Sequence, residues 1–129
     1  MGRGVVWAAA DRTDLLPITL NKSDTDYSVT TRYDDYPISQ TRFHWESQSW
    51  TATASPTGQR YINHVARGSK VVLFVRKSRP DERDVTGPYL SLGLARHVGH
   101  KSDPPMQIDW ELDRLMPVEI YEHARVAAG

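Results

Sequence analysis

A mostly β domain of the α+β class is what this sequence predicts, barrel-like, with one short inserted helix and a C-terminal helix. Three observations carry that expectation. Short runs of residues alternate apolar and polar with a period of two, or form brief apolar blocks. Clusters of Pro, Gly, Asn, Asp and Ser separate these runs at strand-like intervals. Only two segments show apolar residues at helical spacing. A closed or nearly closed barrel is the expected arrangement, because closure buries two-sided strands and removes unpaired edges.

The elements follow in chain order. Leu15 to Asn21 (LLPITLN) predicts a first strand, with Pro17 favouring an edge or a strand start. Asn21 to Asp26 is a polar turn, and Tyr27 to Tyr33 is extended, with a short helix over Tyr33 to Ser39 as the alternative. Arg42 to Ser49 reads as a strand carrying Phe43, Trp45 and Ser47 on one face and His44, Glu46 and Gln48 on the other. Ser55-Pro56-Thr57-Gly58 is a turn into a helix over Gln59 to Arg67, stopped by Gly68, with Tyr61, Ile62 and Val65 toward the core. Five consecutive apolar residues make Lys70 to Lys77 a strand buried on both faces. Ser78 to Pro88 is a charged loop. Tyr89 to Val98 places Leu90, Leu92 and Leu94 on one face, with a bulge at Gly93. Gln107 to Leu112 sets Ile108, Trp110 and Leu112 against Gln107, Asp109 and Glu111, and Val118 to Ala127 closes the chain as a helix.

At 129 residues, 39% hydrophobic and 25% charged, residues 1–129 read as a single soluble domain. The absence of cysteine excludes disulfides, thiolate metal sites and a cysteine nucleophile. The longest apolar run, Val71 to Val75, is too short to cross a bilayer, and Met1 to Ala10 lacks the apolar core of a signal peptide, so no membrane partner and a cytoplasmic location are expected. The formal net charge is zero, yet residues 47–80 contain no Asp or Glu, whereas the acids cluster between Asp103 and Glu122. Folded onto separate faces, these stretches predict one basic surface.

Aromatic residues beside cations hold bases and phosphates together. Phe43 to Trp50 concentrates two Trp, a Phe, a His and a Gln in eight positions. Tyr33-Asp34-Asp35-Tyr36 brackets two carboxylates with two rings. An extruded base needs flat groups around it and a partner for its Watson–Crick edge. A carboxylate accepts from N4 of cytosine and is repelled by O4 of thymine, which selects cytosine, and 5-methylcytosine if a small apolar patch is present. The base-binding set is therefore Tyr33, Asp34, Asp35, Tyr36, Trp45, Ser47, Gln48 and Trp50. The phosphate-binding set is Arg42, His44, Thr57, Gly58, Gln59, Arg60, His64, Arg67 and Lys70, with Thr57 to Gln59 opening a helix whose amides receive an anion. Each has a plainer alternative: a turn before Pro37, core packing for Phe43 and Trp45, and a solvated cationic face.

Catalysis has little support. His97, His100 and Asp103 suggest a metal site, but three positions along a regular strand put the two histidines on opposite faces. HExxH, GxSxG and phosphate-cradling glycine motifs are missing, and no metal or other cofactor is implied. A glycosylase, with Asp34 or Asp35 activating water beside a flipped base, is the enzymatic alternative.

The order TLNK (Thr19 to Lys22), YDDYPIS (Tyr33 to Ser39), FHWESQS (Phe43 to Ser49), TGQRYINH (Thr57 to His64) and VLFVR (Val72 to Arg76) resembles a bacterial family of unknown function. Gly87-Pro88-Tyr89-Leu90, Gly93-Leu94-Ala95, Pro105-Met106 and Ile108 to Leu112 extend the likeness over residues 14 to 117. That family is found at the C-terminal end of superfamily II helicases in phage-defence systems. The resemblance implies association with DNA, and with a helicase or nuclease effector as partner. It carries over no ATPase activity. By architectural analogy alone, SET-and-RING-associated (SRA) and PUA-like barrels read modified bases. The expected function is thus a reader of modified duplex DNA, most specifically of 5-methylcytosine by base flipping, in restriction or defence. The alternatives are a helicase-associated DNA-binding domain indifferent to modification, and a protein-interaction module.

Overall fold

The computed structural model describes residues 5–21, 35–47, 51–78, 89–101 and 105–128. Among these residues, seven strands form one sheet: β1 (Val6–Ala8), β2 (Thr13–Asn21), β3 (Tyr36–Ser39), β4 (Arg42–Glu46), β5 (Lys70–Ser78), β6 (Leu90–Lys101) and β7 (Gln107–Leu112). Two helices among the described residues accompany it, α1 (Pro56–Arg67) and α2 (Val118–Ala128). The mostly β, α+β expectation agrees with this content. The strand order is β1-β2-β5-β6-β7-β4-β3, and every neighbouring pair is antiparallel except β2 and β5.

Among the described residues β1 and β3 are the two ends of this order and do not pair with each other, so the sheet they form is open at that seam. It is nevertheless curled. Helix α2 packs against β2 and β5 near one end of the order and against β3 at the other. One helix reaches both only if the sheet wraps around it. The 113–117 segment holds α2 in place: the amides of Leu112 and Met116 donate to the carbonyls of Thr41 and Gln40, and Gln40 Nε2 donates back to Met116 O at 3.0 Å.

The strand pattern selects the inner face. Leu16 and Ile18 of β2 lie beside Leu73 and Val75 of β5, all buried. Phe43 and Trp45 of β4 lie beside Trp110 and Ile108 of β7, all fully buried. Tyr61 of α1 meets Trp45 edge-on at 5.4 Å and Trp110 at 6.3 Å, a T-shaped geometry that suits ring quadrupoles. Helix α1 starts at the N-cap Ser55, with Pro56 in its first turn, and ends at Gly68, whose φ of 74° is the left-handed conformation that glycine adopts without strain.

Several local expectations need correction. β1 was not anticipated, being three residues ahead of a hairpin loop. Tyr36 to Ser39 is strand, not helix. β5 is fully buried on one face only, since Val72 and Phe74 are half-buried. Val65 is 63% exposed because the buried stripe of α1 runs through Gly58, Tyr61 and His64. In β6, the bulge at Gly93 turns Leu92 to the core and leaves Leu90 and Leu94 exposed. The Tyr27 to Tyr33 stretch and residues 79–88 of the charged loop lie outside the described residues.

Candidate functional site

The structure divides the expected base-binding residues sharply. Trp45 is wholly buried against Tyr61 and Trp110, so its ring is closed to a ligand. Ser47 is also fully buried: its amide donates to Met106 O and its Oγ accepts from Met106 N, both at 2.9 Å. Both positions are corrected from base contact to core, because period-two alternation puts them on the inner face, where Trp45 packs against Tyr61 of α1 and beside Trp110 of the neighbouring β7. Asp35 and Tyr36 remain at the surface, each half-buried. Asp35 Oδ1 accepts from the Glu46 amide at 2.9 Å, which fixes the carboxylate beside β4. Tyr36 stacks on His44 with centroids 4.7 Å apart and planes 22° apart. Tyr33, Asp34, Gln48 and Trp50 lie outside the described residues.

The phosphate set divides likewise. His44 is 8% exposed and has both ring nitrogens engaged, Nδ1 with Asp109 Oδ1 at 2.7 Å and Nε2 with Gln107 Oε1 at 3.2 Å. His64 is 2% exposed; its Nε2 accepts the His97 amide at 3.1 Å, so its Nδ1 carries the proton and faces Ser69 O at 3.3 Å. Burial pushes the His64 pKa down, against the Ser69 carbonyl and Asp14, which raise it, and with Arg96, which lowers it. Neither histidine is positioned to receive a phosphate.

Gly58 is buried and serves packing, since a Cβ there would meet Ala52 O at 2.2 Å and Met106 Sδ at 2.9 Å. Gln59 has both ends occupied, its Nε2 by Thr53 O and its Oε1 by Asn63. The first amides of α1 are satisfied within the chain, Gly58 N by Ser55 Oγ and Gln59 N by Ser55 O, and Thr57 is half-buried in that turn. The helix start is therefore a self-capped end. Arg60 is clamped bidentately on fully buried Asp14, with two bonds of 2.7 Å. Arg42 is 44% exposed in its side chain but donates to Glu111 at 2.9 Å.

Arg67 and Lys70 are the members that stay exposed and unpaired by any carboxylate among the described residues. A third cation joins them. Arg12 sits in the β1–β2 hairpin loop at a φ of 50°, an uncommon conformation for a side chain with a Cβ. Its carbonyl accepts the Lys70 amide at 2.8 Å, and its guanidinium caps the carbonyl of Arg67 at the end of α1. Arg12, Arg67 and Lys70 thus converge where α1 ends and β2 and β5 begin. Arg12 is not among the residues expected from the sequence, because the Ala9 to Arg12 loop carries no Asn-Gly, Asp-Gly or other glycine signal of a hairpin.

The sheet face away from the core continues this corner. Thr13 pairs with Lys70; the next residues beyond the Val71–Ala95 pair are Lys70 and Arg96; Arg96 pairs with Glu111, and Glu111 with Arg42. Lys70, Arg96 and Arg42 therefore cross the sheet at one level. Acids interleave with them, Glu111 on Arg42 and Asp113 at 3.8 Å from Arg96. The expected separation of basic and acidic segments onto different faces fails at this level, because β6 alone separates β5 from β7 and Glu111 shares the outer face with Lys70.

Two further features complete the surface. His97 Nε2 and His100 Nδ1 are 2.9 Å apart, because a bulge between His97 and Gly99 cancels the alternation that separates positions three apart. Among the described residues, no group of three or more His, Cys, Asp or Glu side chains is placed to hold a metal ion. An apolar groove of about 180 Å³ lies on the outer face between Val6, Leu15, Pro17, Phe74 and Tyr89. No helix among the described residues is long and apolar enough to cross a membrane.

No curated protein matches this chain. A family model does match, over residues 2–124, which is nearly its full length. The chain belongs to the family described as a domain of unknown function, DUF3427.

Proposed function

We propose that this domain binds DNA without catalysing a reaction on it, holding phosphates at the Arg12, Arg67 and Lys70 corner. The observation that carries the reading is that convergence: three exposed cations from three elements, with no carboxylate paired to them among the described residues. Exposed Lys and Arg set the salt-dependent part of DNA affinity. The finer reading is recognition of modified cytosine, most specifically 5-methylcytosine turned out of the duplex, by the segment from Tyr33 to Tyr36 with Gln48 and Trp50. Asp35 and Tyr36 support it as a fixed carboxylate next to a stacked ring at the surface. Its setting is restriction or phage defence beside a helicase or nuclease effector. That setting rests on the family resemblance alone.

Titration of matched methylated and plain duplexes at several salt concentrations tests both levels. Log affinity is expected to fall with log salt at a slope of about −3, some −0.9 for each phosphate neutralised. Replacing Arg67 and Lys70 together by Ala reduces that slope by about 2. Salt-independent or absent binding overturns the proposal. Equal affinity for the two duplexes removes only the modified-base reading and leaves a DNA-binding domain indifferent to methylation. One observation favours a different class: the apolar groove of Val6, Leu15, Pro17, Phe74 and Tyr89 suits a protein-interaction module, which predicts no DNA binding at all.

A further inference from the structure

Trp7 stands beside the cationic corner on the edge strand β1, 37% exposed, and one residue pair along from the turn that carries Arg12. Of the described tryptophans it is the exposed one, since Trp45 and Trp110 are fully buried. Its ring is not loosely placed. The Arg60 guanidinium lies 4.5 Å from the ring centroid, in cation–π contact. That guanidinium is itself locked by two 2.7 Å bonds to Asp14, whose side chain is fully buried. A buried carboxylate thus fixes a planar cation, and the cation backs an exposed indole. A ring held this way loses little freedom when a ligand stacks on it.

We infer that Trp7 is a stacking platform for an unpaired nucleobase whose flanking phosphates lie on Arg12 and Arg67, the two members of the corner tied together at the end of α1. This rests on the DNA-binding reading and adds a subsite to it. Stacking on an aromatic ring is tolerant of base identity but requires a base that is free of its neighbours, as in a single strand or an extruded nucleotide. Arg60, expected from the sequence to be a phosphate ligand, acts here as a positioning residue: its donors face Asp14, and its flat face holds the indole.

The test uses the intact domain and a short single-stranded oligonucleotide, intact or with one abasic nucleotide moved through successive positions. Wild-type protein is expected to lose about tenfold or more in affinity at one abasic position. Trp7→Ala is expected to lose the same factor on the intact strand and to bind intact and abasic strands equally. Trp7→Phe keeps most of the affinity. A fully paired duplex is expected to show no dependence on Trp7, and a duplex with one unpaired nucleotide to regain it. If no abasic position weakens wild-type binding, or if Trp7→Ala binds as wild type while the Arg67 and Lys70 variant does not, the platform is wrong and the DNA reading stands. Dependence on Trp7 that is equal on paired and unpaired DNA also overturns the platform. If the wild-type domain binds neither strand nor duplex, both fall.

Discussion

Asp14 and Arg60 show how one ion pair ties three parts of this molecule together. Asp14 is completely buried in β2, whereas the Arg60 side chain on α1 keeps 22% of its exposure and reaches Trp7 on β1. The asymmetry decides which partner is more costly to remove. Without Asp14, the guanidinium can turn toward water; without Arg60, a carboxylate is left in the interior with its principal charge partner gone. The Arg60 pKa is raised, first by its hydrogen bond to Asp14, so the cation persists at any ordinary pH. Replacing Arg60 by Met is therefore expected to destabilise the domain by about 3–5 kcal/mol. Asp14→Asn is expected to cost distinctly less, and urea unfolding of both variants measures the difference. A smaller loss for Arg60→Met than for Asp14→Asn contradicts the asymmetry.

At the level of elements, the sequence disclosed most strands and both helices because their signals are local. Alternation in Arg42 to Glu46 and Gln107 to Leu112, the apolar block of β5, and the Gly68 stop of α1 can each be read without knowing the neighbours. Helix α1 itself starts at Pro56, three residues ahead of the expected Gln59, with the expected turn forming its cap and first turn. What stayed hidden depends on partners distant in the chain. Trp45 is core because Tyr61 of α1 packs on its face, beside Trp110 of the neighbouring β7, and no local pattern distinguishes a covered face from an open one. His97 and His100 meet because of a bulge, which shifts the register by one residue. Arg12 and Trp7 lie on a three-residue strand and its loop, below the length at which periodicity speaks. Gly58 illustrates the point as a prediction. A helix-start glycine among Thr57 and Gln59 suggests an anion site, but the structure has α1 packed on the Ala52 carbonyl with no room for a Cβ. Gly58→Ala is expected to destabilise by about 1–3 kcal/mol through overpacking, which thermal unfolding would register. A neutral or stabilising change would show that α1 can move away from the 51–54 segment.

For the molecule as a whole, the interior sets a pH limit on folding. Buried His64 connects α1 to β6 by accepting the amide of His97, a donor at the bulge, and to the start of β5 through Ser69. Only a neutral imidazole can accept that proton. Burial lowers the pKa of His64, and burial together with His100 and His64 lowers that of His97. The groups facing His64 oppose one another, Asp14 favouring its protonation and Arg96 disfavouring it, and desolvation is the largest influence. The sign follows from linkage. Below about pH 6.5 the unfolded chain takes up protons on these histidines before the folded one does, so stability falls with pH until the lowered folded-state values are passed. The slope in that window is at most about 1.4 kcal/mol per pH unit for each histidine. The urea midpoint is accordingly expected to be steady above neutrality and to decline from about pH 6.5 downward, with His64→Gln flattening part of the decline. A midpoint that rises on acidification through this range would mean that His64 is protonated in the fold, and that the bulge amide of His97 is held by some other acceptor.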